Sequence, residues 1–387
     1  MIKGYKIQIF PTPEQEKLLW QNINASRFVW NKGIDIQENS YKQGCGYITC
    51  YDLQKIFVQM KKQPEYQWLN QVSKHTVVGT CIDLDHAYKM FFNKELSRFC
   101  RPKFKSRKTK KASFPVRTDR FYLLDNVANI EKVGKIKYKR KYDFPIGRNS
   151  AKFYNVRISN INGKWLLSFG LDVAKNKPLL NDYSVGIDLG IKNLAIVAYD
   201  DNIIEFGNIN KTAKMKRLKS KLKHLQREQC RKYTTNNNLN KYTEKYYKSN
   251  QIKEVEKQIA DIHKRIVDIR KNYIHQITSQ IIKLYPKRVV MEDLNIEGMK
   301  KNRHLSRAIS EQCFYEFRRQ MEYKCQLNGI EFVLADRYYP SSKTCSCCGT
   351  IKKDLKLSDR IYYCPECGMK MDRDANAAIN LMNYIEI

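Results

Sequence analysis

The spacing of apolar and polar residues changes twice in the first half of the chain. Residues 3–10 alternate as in a β-strand, and Thr-Pro-Glu-Gln at 12–15 supplies the cap, proline and glutamine that begin a helix with a capping box. Helical spacing continues to about residue 100, and short alternating runs fill residues 113–180. This order predicts a β-barrel or sandwich with a helical block inserted after its first strand.

A second helical region is predicted between residues 211 and 284. Leu218, Leu222 and Leu225 keep helical spacing, and the polar stretch 233–250 follows. Apolar residues then recur at alternating spacings of three and four: Ile252, Val255, Ile259, Ile262, Ile266, Ile269 and Tyr273. This is the seam of a coiled coil, so we predict an antiparallel helical hairpin with a basic tip.

Three acidic residues break apolar patterns in the second half of the chain. Asp188 is the one polar side chain in the middle of a predicted buried strand, and it shares a face with Gly186 and Gly190. We expect this face to leave the carboxylate open to a metal and a phosphate. A strand-end aspartate satisfied only by backbone amides would not explain the two glycines.

A second predicted strand, residues 288–294, contains two adjacent acids that must point to opposite faces. Glu292 shares the face of Val290 and Leu294, where an unpaired charge is costly without a metal or a partner. We interpret Asp293 as a turn or helix-cap residue.

The third acidic segment is predicted to be a helix with two different faces. Its polar stripe consists of Asp372, Asn376, Asn380 and Asn383. Its inward stripe, expected to face a sheet, consists of Asp374, Ala377, Ala378, Leu381 and Ile385. Asp374 therefore points inward in this prediction, and Asp372 caps the helix from outside.

Carboxylate oxygens are the ligands that Mg²⁺ and Mn²⁺ prefer. Asp188, Glu292 and Asp374 are therefore the predicted catalytic residues and metal ligands. Two bound metals would activate a water molecule and stabilise the leaving oxygen of a phosphodiester. The sequence does not choose between Mg²⁺ and Mn²⁺.

The net charge of +33 is several-fold larger than solubility requires, and it indicates a polyanionic partner. The cations alternate with aromatic residues and form no dominant amphipathic basic helix, which favours nucleic acid over a membrane. One protein–duplex interface uses about 6–10 phosphate contacts, so we expect a large RNA in addition to DNA. The predicted contact residues are Arg101, Lys103, Lys105, Arg107, Lys108, Lys110, Lys111, Lys135, Lys137, Lys139 and Lys141.

The chain begins without an apolar segment of secretory type, so a cytoplasmic, nucleoid-associated prokaryotic protein with reduced thiols is expected. Seven single cysteines are predicted to be small buried hydrophobes: Cys45, Cys50, Cys81, Cys100, Cys230, Cys313 and Cys325. The pairs Cys345-x2-Cys348 and Cys364-x2-Cys367, each followed by glycine, predict one structural Zn²⁺ held by four thiolates. Cys347 is the spare residue.

Several segments together resemble the transposon-encoded TnpB (OrfB) family, which is related to type V CRISPR effectors. They are Phe-Pro-Thr-Pro at 10–13, Phe-Val-Trp-Asn at 28–31, Gly-Ile-Asp-Leu-Gly at 186–190, Met-Glu-Asp-Leu at 291–294, Pro-Ser-Ser-Lys-Thr-Cys at 340–345, the two cysteine knuckles, and Asp-Arg-Asp-x-Asn-Ala-Ala at 372–378. The resemblance covers nearly the whole chain and assigns Asp188, Glu292 and Asp374 to the three catalytic carboxylates of the family.

The resemblance implies a bilobed fold, α/β plus all-β. Residues 1–11 and 101–180 would form a wedge barrel and residues 12–100 its helical recognition insertion. Residues 181–339 and 370–387 would form a RuvC nuclease domain of RNase H fold that includes the hairpin 211–284, and residues 340–369 an inserted zinc ribbon. It also implies an RNA-guided DNA endonuclease that takes a structured guide RNA from the transposon end, with one protein copy per RNA favoured. Its double-stranded DNA target would carry a short flanking motif.

Other classes fit the residues less well. A DDE transposase has its acids in the order Asp, Asp, Glu, whereas here the order is Asp, Glu, Asp. A nuclease-dead regulator is expected to lack one carboxylate, and a purely DNA-binding zinc ribbon leaves Asp188 and Glu292 unexplained. A RuvC-like nuclease that cuts branched DNA or RNA–DNA hybrids without a guide remains the open alternative.

Overall fold

The computed structural model describes residues 2–93, 100–107, 111–139, 144–147, 150–174, 178–241, 247–356 and 359–385. The chain divides into two units, Met1–Val173 and Ala174–Ile387. Within the described ranges, no helix is both long enough and apolar enough to cross a bilayer.

The first unit begins with one strand that leads directly into the helical block. The elements are β1 (Ile2–Phe10), α1 (Pro13–Lys42), α2 (Cys50–Met60), a 3₁₀ helix (Pro64–Asn70) and α3 (Lys74–Phe92). Thr12 Oγ1 accepts a hydrogen bond from the Gln15 amide, and Gln15 Oε1 accepts one from the Thr12 amide. The predicted capping box is therefore confirmed.

The other strands of the first unit join β1 in one antiparallel sheet. They are β2 (Lys111–Pro115), β3 (Tyr122–Leu123), β4 (Val127–Ile130), β5 (Gly134–Tyr138), β6 (Phe153–Ile161) and β7 (Lys164–Asp172). Their order is β2-β6-β7-β1-β5-β4-β3. β1 connects the two halves, because residues 2–8 pair with β7 and residues 9–10 pair with β5.

The predicted barrel is wrong in one respect, since the sheet does not close. In the described part of the chain, the edge strands β2 and β3 do not pair with each other. β3 is only two residues long and offers almost no ladder of hydrogen bonds. The sheet nevertheless curls around one core, because Phe114 of β2 and Leu123 of β3 belong to the same buried cluster.

The second unit contains a five-stranded sheet and a separate two-stranded one. Its elements are β8 (Asn181–Leu189), β9 (Asn193–Tyr199), β10 (Asn202–Gly207), α4 (Ala213–Leu239), α5 (Asn250–Ile282), β11 (Pro286–Glu292), α6 (Ile296–Lys300), α7 (Ser306–Gln312), α8 (Phe314–Asn328), β12 (Glu331–Ala335), β13 (Ile361–Tyr363), β14 (Lys370–Asp372) and α9 (Arg373–Met382). The large sheet has the order β10-β9-β8-β11-β12, and β11 runs parallel to both β8 and β12.

The two faces of this sheet carry different helices. Val185, Val289 and Met291 pack on one face with residues of α5 and α8. On the other face, α9 packs its Ala378 against β9 and its Leu381 against β11 and β12. The sheet therefore holds α9 against the strands that carry two of the three acidic residues.

α4 and α5 lie side by side as a helical hairpin. Leu218, Leu222, Val255 and Ile262 belong to one apolar cluster between the two helices. The far half of α5 enters the core of the sheet instead, so a single long helix supports both the hairpin and the large sheet.

Candidate functional site

The register of two parallel strands brings Asp188 and Glu292 to the same edge of the sheet. β8 and β11 pair so that Gly186 lies opposite Val290 and Ile187 lies opposite Met291. Asp188 and Glu292 follow at the ends of these strands, and both side chains point to the face on which α9 packs.

Gly186 allows α9 to approach the sheet at backbone distance. A Cβ atom at this position would lie 2.0 Å from the carbonyl oxygen of Ala378 and 2.2 Å from the amide nitrogen of Met382. The expectation that this glycine leaves room for a metal and a phosphate is therefore wrong, because the helix backbone fills the space. The close approach has a different consequence: it fixes the helix that carries Asp374 in its first turn.

The three carboxylates influence one another electrostatically. The pKa of Asp188 is raised well above its usual range because the protein removes water from the carboxylate, and because Glu292 and Asp374 add negative charge nearby. Arg373 opposes this shift. Within the described ranges, no hydrogen-bond donor reaches the Asp188 carboxylate. A divalent cation would supply the missing positive charge.

Glu292 has one neutral partner. The Ser341 hydroxyl donates a short hydrogen bond to Glu292 Oε1. Removal of water raises the pKa of Glu292, the Ser341 hydrogen bond lowers it, and Asp374 raises it. The Ser341 side chain is buried, so this hydrogen bond fixes one carboxylate oxygen and leaves the other to a ligand.

Asp293 has a different role from the predicted turn or cap. Its two oxygens pair with Arg318 at 2.8 Å and Arg337 at 2.5 Å, and the hydrogen bond from Arg337 is the main reason why its pKa is lowered. Asn295, not Asp293, caps α6. The two adjacent acids at the end of β11 thus have opposite environments. Asp293 is paired with arginines, whereas Glu292 has no cation partner in the described part of the chain.

The predicted faces of α9 are partly confirmed. Asp372 caps the helix by accepting from the amides of Asp374 and Ala375, as expected. Ile385 lies beyond the end of the helix and is exposed, so its predicted place in the inward stripe is wrong.

The polar stripe of α9 is not a solvent-facing surface. Asn376 and Asn380 are buried, and both donate to the carbonyl oxygen of Thr344 at 2.7 Å. Asn380 also donates to Ser341 O, and Asn376 Oδ1 accepts from the Ser346 amide. The stripe therefore binds residues 341–346, the segment that contains both Ser341 and the first cysteine.

Four cysteines converge next to this segment. The sulfur atoms of Cys345, Cys348, Cys364 and Cys367 lie within 4.8 Å of one another, and the Cys345–Cys367 and Cys348–Cys364 distances are 3.6 and 3.5 Å. Gly349 and Gly368 adopt φ values of 76° and 71°, the left-handed region that each knuckle turn requires. Cys347 is exposed and does not belong to the cluster.

The prediction for the single cysteines is only partly confirmed. Cys81 and Cys325 are buried, and Cys50 and Cys313 are half-buried. Cys45, Cys100 and Cys230 are exposed, which contradicts the prediction. Cys45 and Cys100 lie in coil segments and Cys230 lies on the polar side of α4, where the local spacing gives no apolar environment.

The predicted basic contact residues are mostly solvent-facing where they are described. Lys135 and Lys137 of β5, and Lys139 after it, are exposed on the side opposite Ile136 and Tyr138, which are buried. The exposed cations of the segment 101–107 are Arg101, Lys103, Lys105 and Arg107. Arg101 pairs with Glu38 at 3.3 Å. Lys108, Lys110 and Lys141 lie outside the described residues, as does the side chain of Lys111.

Sequence reasoning missed the residues that support the acidic site. Ser341, Asn376 and Asn380 link Glu292, α9 and the first cysteine knuckle through four hydrogen bonds. The i, i+4 spacing of the two asparagines was a visible signal, but a polar stripe is equally typical of a solvent-facing helix surface.

Three family models match different parts of the chain. They are the OrfB_IS605 helix-turn-helix domain at residues 1–45, the OrfB_IS605 probable transposase at residues 171–303, and the Cas12f1-like TNB domain at residues 314–381. The last match contains the cysteine cluster and Asp374, and the transposase match contains Asp188 and Glu292.

Similar proteins and structures span almost the whole chain. Two relatives carry the name "Putative RNA-guided DNA endonuclease": one from Streptomyces pristinaespiralis, 28% identical over 98% of this chain and 88% of its own, and InsQ from Escherichia coli K12, 28% identical over 98% and 92%. The cryo-EM structure of a Cas12f1–sgRNA–target DNA complex is similar in fold, with a TM-score of 0.61, 14% identity and 99% coverage of both chains. The chain belongs to the transposon-encoded TnpB (OrfB) family.

Proposed function

We propose that this protein is a transposon-encoded, RNA-guided DNA endonuclease with a metal-dependent site at Asp188, Glu292 and Asp374. The observation that carries the proposal is the acidic cluster itself. Mutual repulsion and loss of water raise the pKa of Asp188, and no hydrogen-bond donor in the described ranges reaches its carboxylate. Among the described residues, the one cation that forms an ion pair with these three carboxylates is Arg373, which lies 3.3 Å from Asp374. Three carboxylates with one arginine, in a protein of net charge +33, point to a further cation that is not part of the chain.

The donor set fits Mg²⁺ or Mn²⁺. Hard divalent cations prefer carboxylate oxygens and keep several water ligands. Two such cations would supply an activated water and stabilise the leaving oxygen of a phosphodiester.

The chain's own residues would hold this centre in position. Asp188 would be a ligand together with the other two carboxylates, since the negative charge of both raises its pKa. Ser341 orients Glu292 through Oε1, and the Asp372 cap orders the first turn of α9, which presents Asp374. This arrangement, on strands in the order β10-β9-β8-β11-β12, supports an RNase H-type RuvC domain.

The cysteine cluster fits a structural zinc ion. Zn–S bonds of about 2.3 Å separate tetrahedral sulfur atoms by about 3.8 Å, close to the 3.5 and 3.6 Å between paired sulfurs here. Four protein ligands leave no position for a substrate, so this zinc would be structural. We extend the proposal to the division into a wedge region at 1–11 and 101–180, a recognition insertion at 12–100, a nuclease domain at 181–339 and 370–387, and a zinc ribbon at 340–369.

The proposal that the nuclease uses a guide RNA rests on the net charge of the chain and on the names of its relatives. The two relatives that span almost the whole chain carry the name "Putative RNA-guided DNA endonuclease", and the similar solved structure is a Cas12f1–sgRNA–target DNA complex. The net charge of +33 is also several-fold larger than the roughly 6–10 phosphate contacts of one duplex interface.

Reprogramming the guide tests this proposal. Protein expressed with its native flanking DNA is expected to co-purify with one discrete RNA whose 3′ end sets the target. Exchange of that terminal segment should redirect cleavage to the matching duplex, with Asp374→Asn protein as the control for contaminating nuclease. Equal cutting of matched and mismatched duplexes, or full activity after RNase treatment, contradicts the proposal and favours an unguided nuclease.

A further inference from the structure

A cleft of about 540 Å³ lies in the first unit, and all the residues that line it belong to that unit. Its volume is in the range of roughly 300–1,000 Å³ that is typical of sites for small molecules. The polar and aromatic residues that line it are Trp20, Asn24 and Arg27 of α1, Lys105 and Arg107 of the segment 101–107, and Asn160 of β6. No carboxylate of the described residues lines the cleft.

Asn160 gives the cleft a buried donor without an acceptor. Its side chain is 6% exposed, and its Oδ1 accepts from the Gly163 amide at 3.0 Å. Its Nδ2 has no hydrogen-bond partner in the described part of the chain. An unsatisfied buried donor costs about 1–3 kcal/mol, so a ligand with an acceptor at this position would recover that cost.

Two of the three cations of the cleft also lack acidic partners in the described part of the chain. Arg27 is half-buried and Arg107 is exposed, and neither forms an ion pair or a hydrogen bond within the described ranges. The Lys105 ammonium lies 3.5 Å from the centre of the Trp30 ring. Lys105 is exposed as a residue, but protein atoms crowd its ammonium group and lower the pKa of Lys105 to about 8. Anions are therefore the ligands that this wall favours.

Trp20 forms an aromatic wall whose orientation is fixed. It packs edge-on against Trp165 with ring centroids 5.3 Å apart, and its Nε1 donates to Glu16 at 3.3 Å. The side chain is still 39% exposed. An indole that is held in place but partly open offers a stacking surface for a planar ring.

We infer that this cleft binds one unpaired nucleotide. The phosphate would contact Arg27 and Arg107, the base would stack on Trp20, and an acceptor on the base edge would take the free Asn160 N–H. This rests on the proposed function for the presence of a nucleic acid, and the chemistry suits a nucleotide of either RNA or DNA.

The test uses the full-length chain and a short unstructured oligonucleotide, as RNA in one arm and as DNA of the same sequence in the other. Trp20→Leu is expected to weaken binding on the order of tenfold, also at raised salt, because stacking does not depend on charge. Trp20→Phe should retain most of the affinity. Arg27→Gln should reduce the slope of log affinity against log salt by about 0.7, the value for one phosphate of a single strand.

Matched controls separate the cleft from general charge. Trp68 is 37% exposed and packs edge-on against Phe28 at 5.3 Å, as Trp20 does against Trp165, so Trp68→Leu is the aromatic control. Lys62→Gln is the charge control, because Lys62 is exposed and lies outside the cleft. Neither control should change binding beyond error.

A photo-crosslink gives a readout that does not depend on affinity. An oligonucleotide that contains 5-iodouracil should crosslink to the peptide that carries Trp20. If Trp20→Leu loses affinity only for the RNA oligonucleotide, the cleft binds guide RNA. If it loses affinity only for the DNA oligonucleotide, the cleft binds target DNA. Equal effects of the Trp20 and Trp68 variants in both arms, without a Trp20 crosslink, overturn the inference. Guided cleavage plays no part in these measurements, so failure of the proposed function would be seen separately.

Discussion

The acidic site and the cysteine cluster are neighbours in the second unit but are built in opposite ways. The four cysteines fall within residues 345–367, and two short turns bring their sulfurs together. Asp188, Glu292 and Asp374 come from two strands and a helix that are far apart along the chain. The cysteine cluster depends on local geometry, whereas the acidic site depends on the packing of α9 over Gly186.

The difference shows where each site is vulnerable. A local cluster loses function when a ligand is lost, but an assembled site also fails when the elements that carry the ligands move. Asn376, Asn380 and Ser341 join the two, since they bind α9 and Glu292 to the segment before Cys345. Damage to the cysteines should therefore reach the acidic site, although less strongly than damage within it.

Removal of one carboxylate should have the largest effect. Asp188→Ala, Glu292→Gln and Asp374→Asn should each lower the cleavage rate by about 10³-fold, because several kcal/mol of charge stabilisation depend on the metals. Nucleic-acid affinity should remain close to normal, since it depends on Lys and Arg. The measurements are single-turnover cleavage and equilibrium binding.

The neighbouring acids serve as controls for that series. Asp293→Asn and Asp372→Asn should retain measurable cutting, because the first is paired with arginines and the second caps a helix. An inactive Asp372→Asn beside an active Asp374→Asn would reverse the assignment of these two residues.

Gly186→Ala should separate assembly from ligand chemistry. The new Cβ would overlap backbone atoms of α9, which cannot move independently, so we expect a loss of about 3 kcal/mol in unfolding free energy together with lost cleavage. Gly207→Ala is the matched control in the same sheet, because its Cβ would meet nothing within 4 Å. Similar unfolding curves for the two variants would mean that the helix does not depend on Gly186.

Loss of a cysteine ligand should have a smaller effect on the fold. Cys364→Ala should reduce zinc from about one ion per chain to almost none. It should lower unfolding free energy by about 2 kcal/mol, comparable to opening a cross-link. Cys347→Ala should keep its zinc. Metal analysis of the purified variants checks both, and loss of zinc from Cys347→Ala but not from Cys345→Ala would overturn the ligand set.

Ser341→Ala should have the smallest effect, through Glu292 alone. Loss of a hydrogen bond that orients a metal ligand typically costs 10- to 100-fold, so we expect a roughly tenfold rise in the Mg²⁺ concentration for half-maximal cleavage. Ser341→Thr keeps the hydroxyl and should restore most of the response. Ser342→Ala is the neighbouring control, and an equal shift in that variant would exclude a role for the Ser341–Glu292 contact.

Some features followed from the sequence because they depend on neighbouring residues. The capping box of α1, the strands that carry Asp188 and Glu292, and the Asp372 cap all agree with local spacing. The cysteine knuckles also follow locally, since two residues and a glycine determine each turn. Spacing along one element was enough in each case.

Other features were decided only by the tertiary structure. The role of Gly186, the burial of Asn376 and Asn380, the ion pairs of Asp293 and the open first sheet all depend on segments distant in sequence. A period of 3.6 shows which residues share a face of α9, but the partner that covers that face is not encoded in the period. Packing determines that partner, because the free energy of a buried polar group depends on whether another segment supplies its hydrogen bonds.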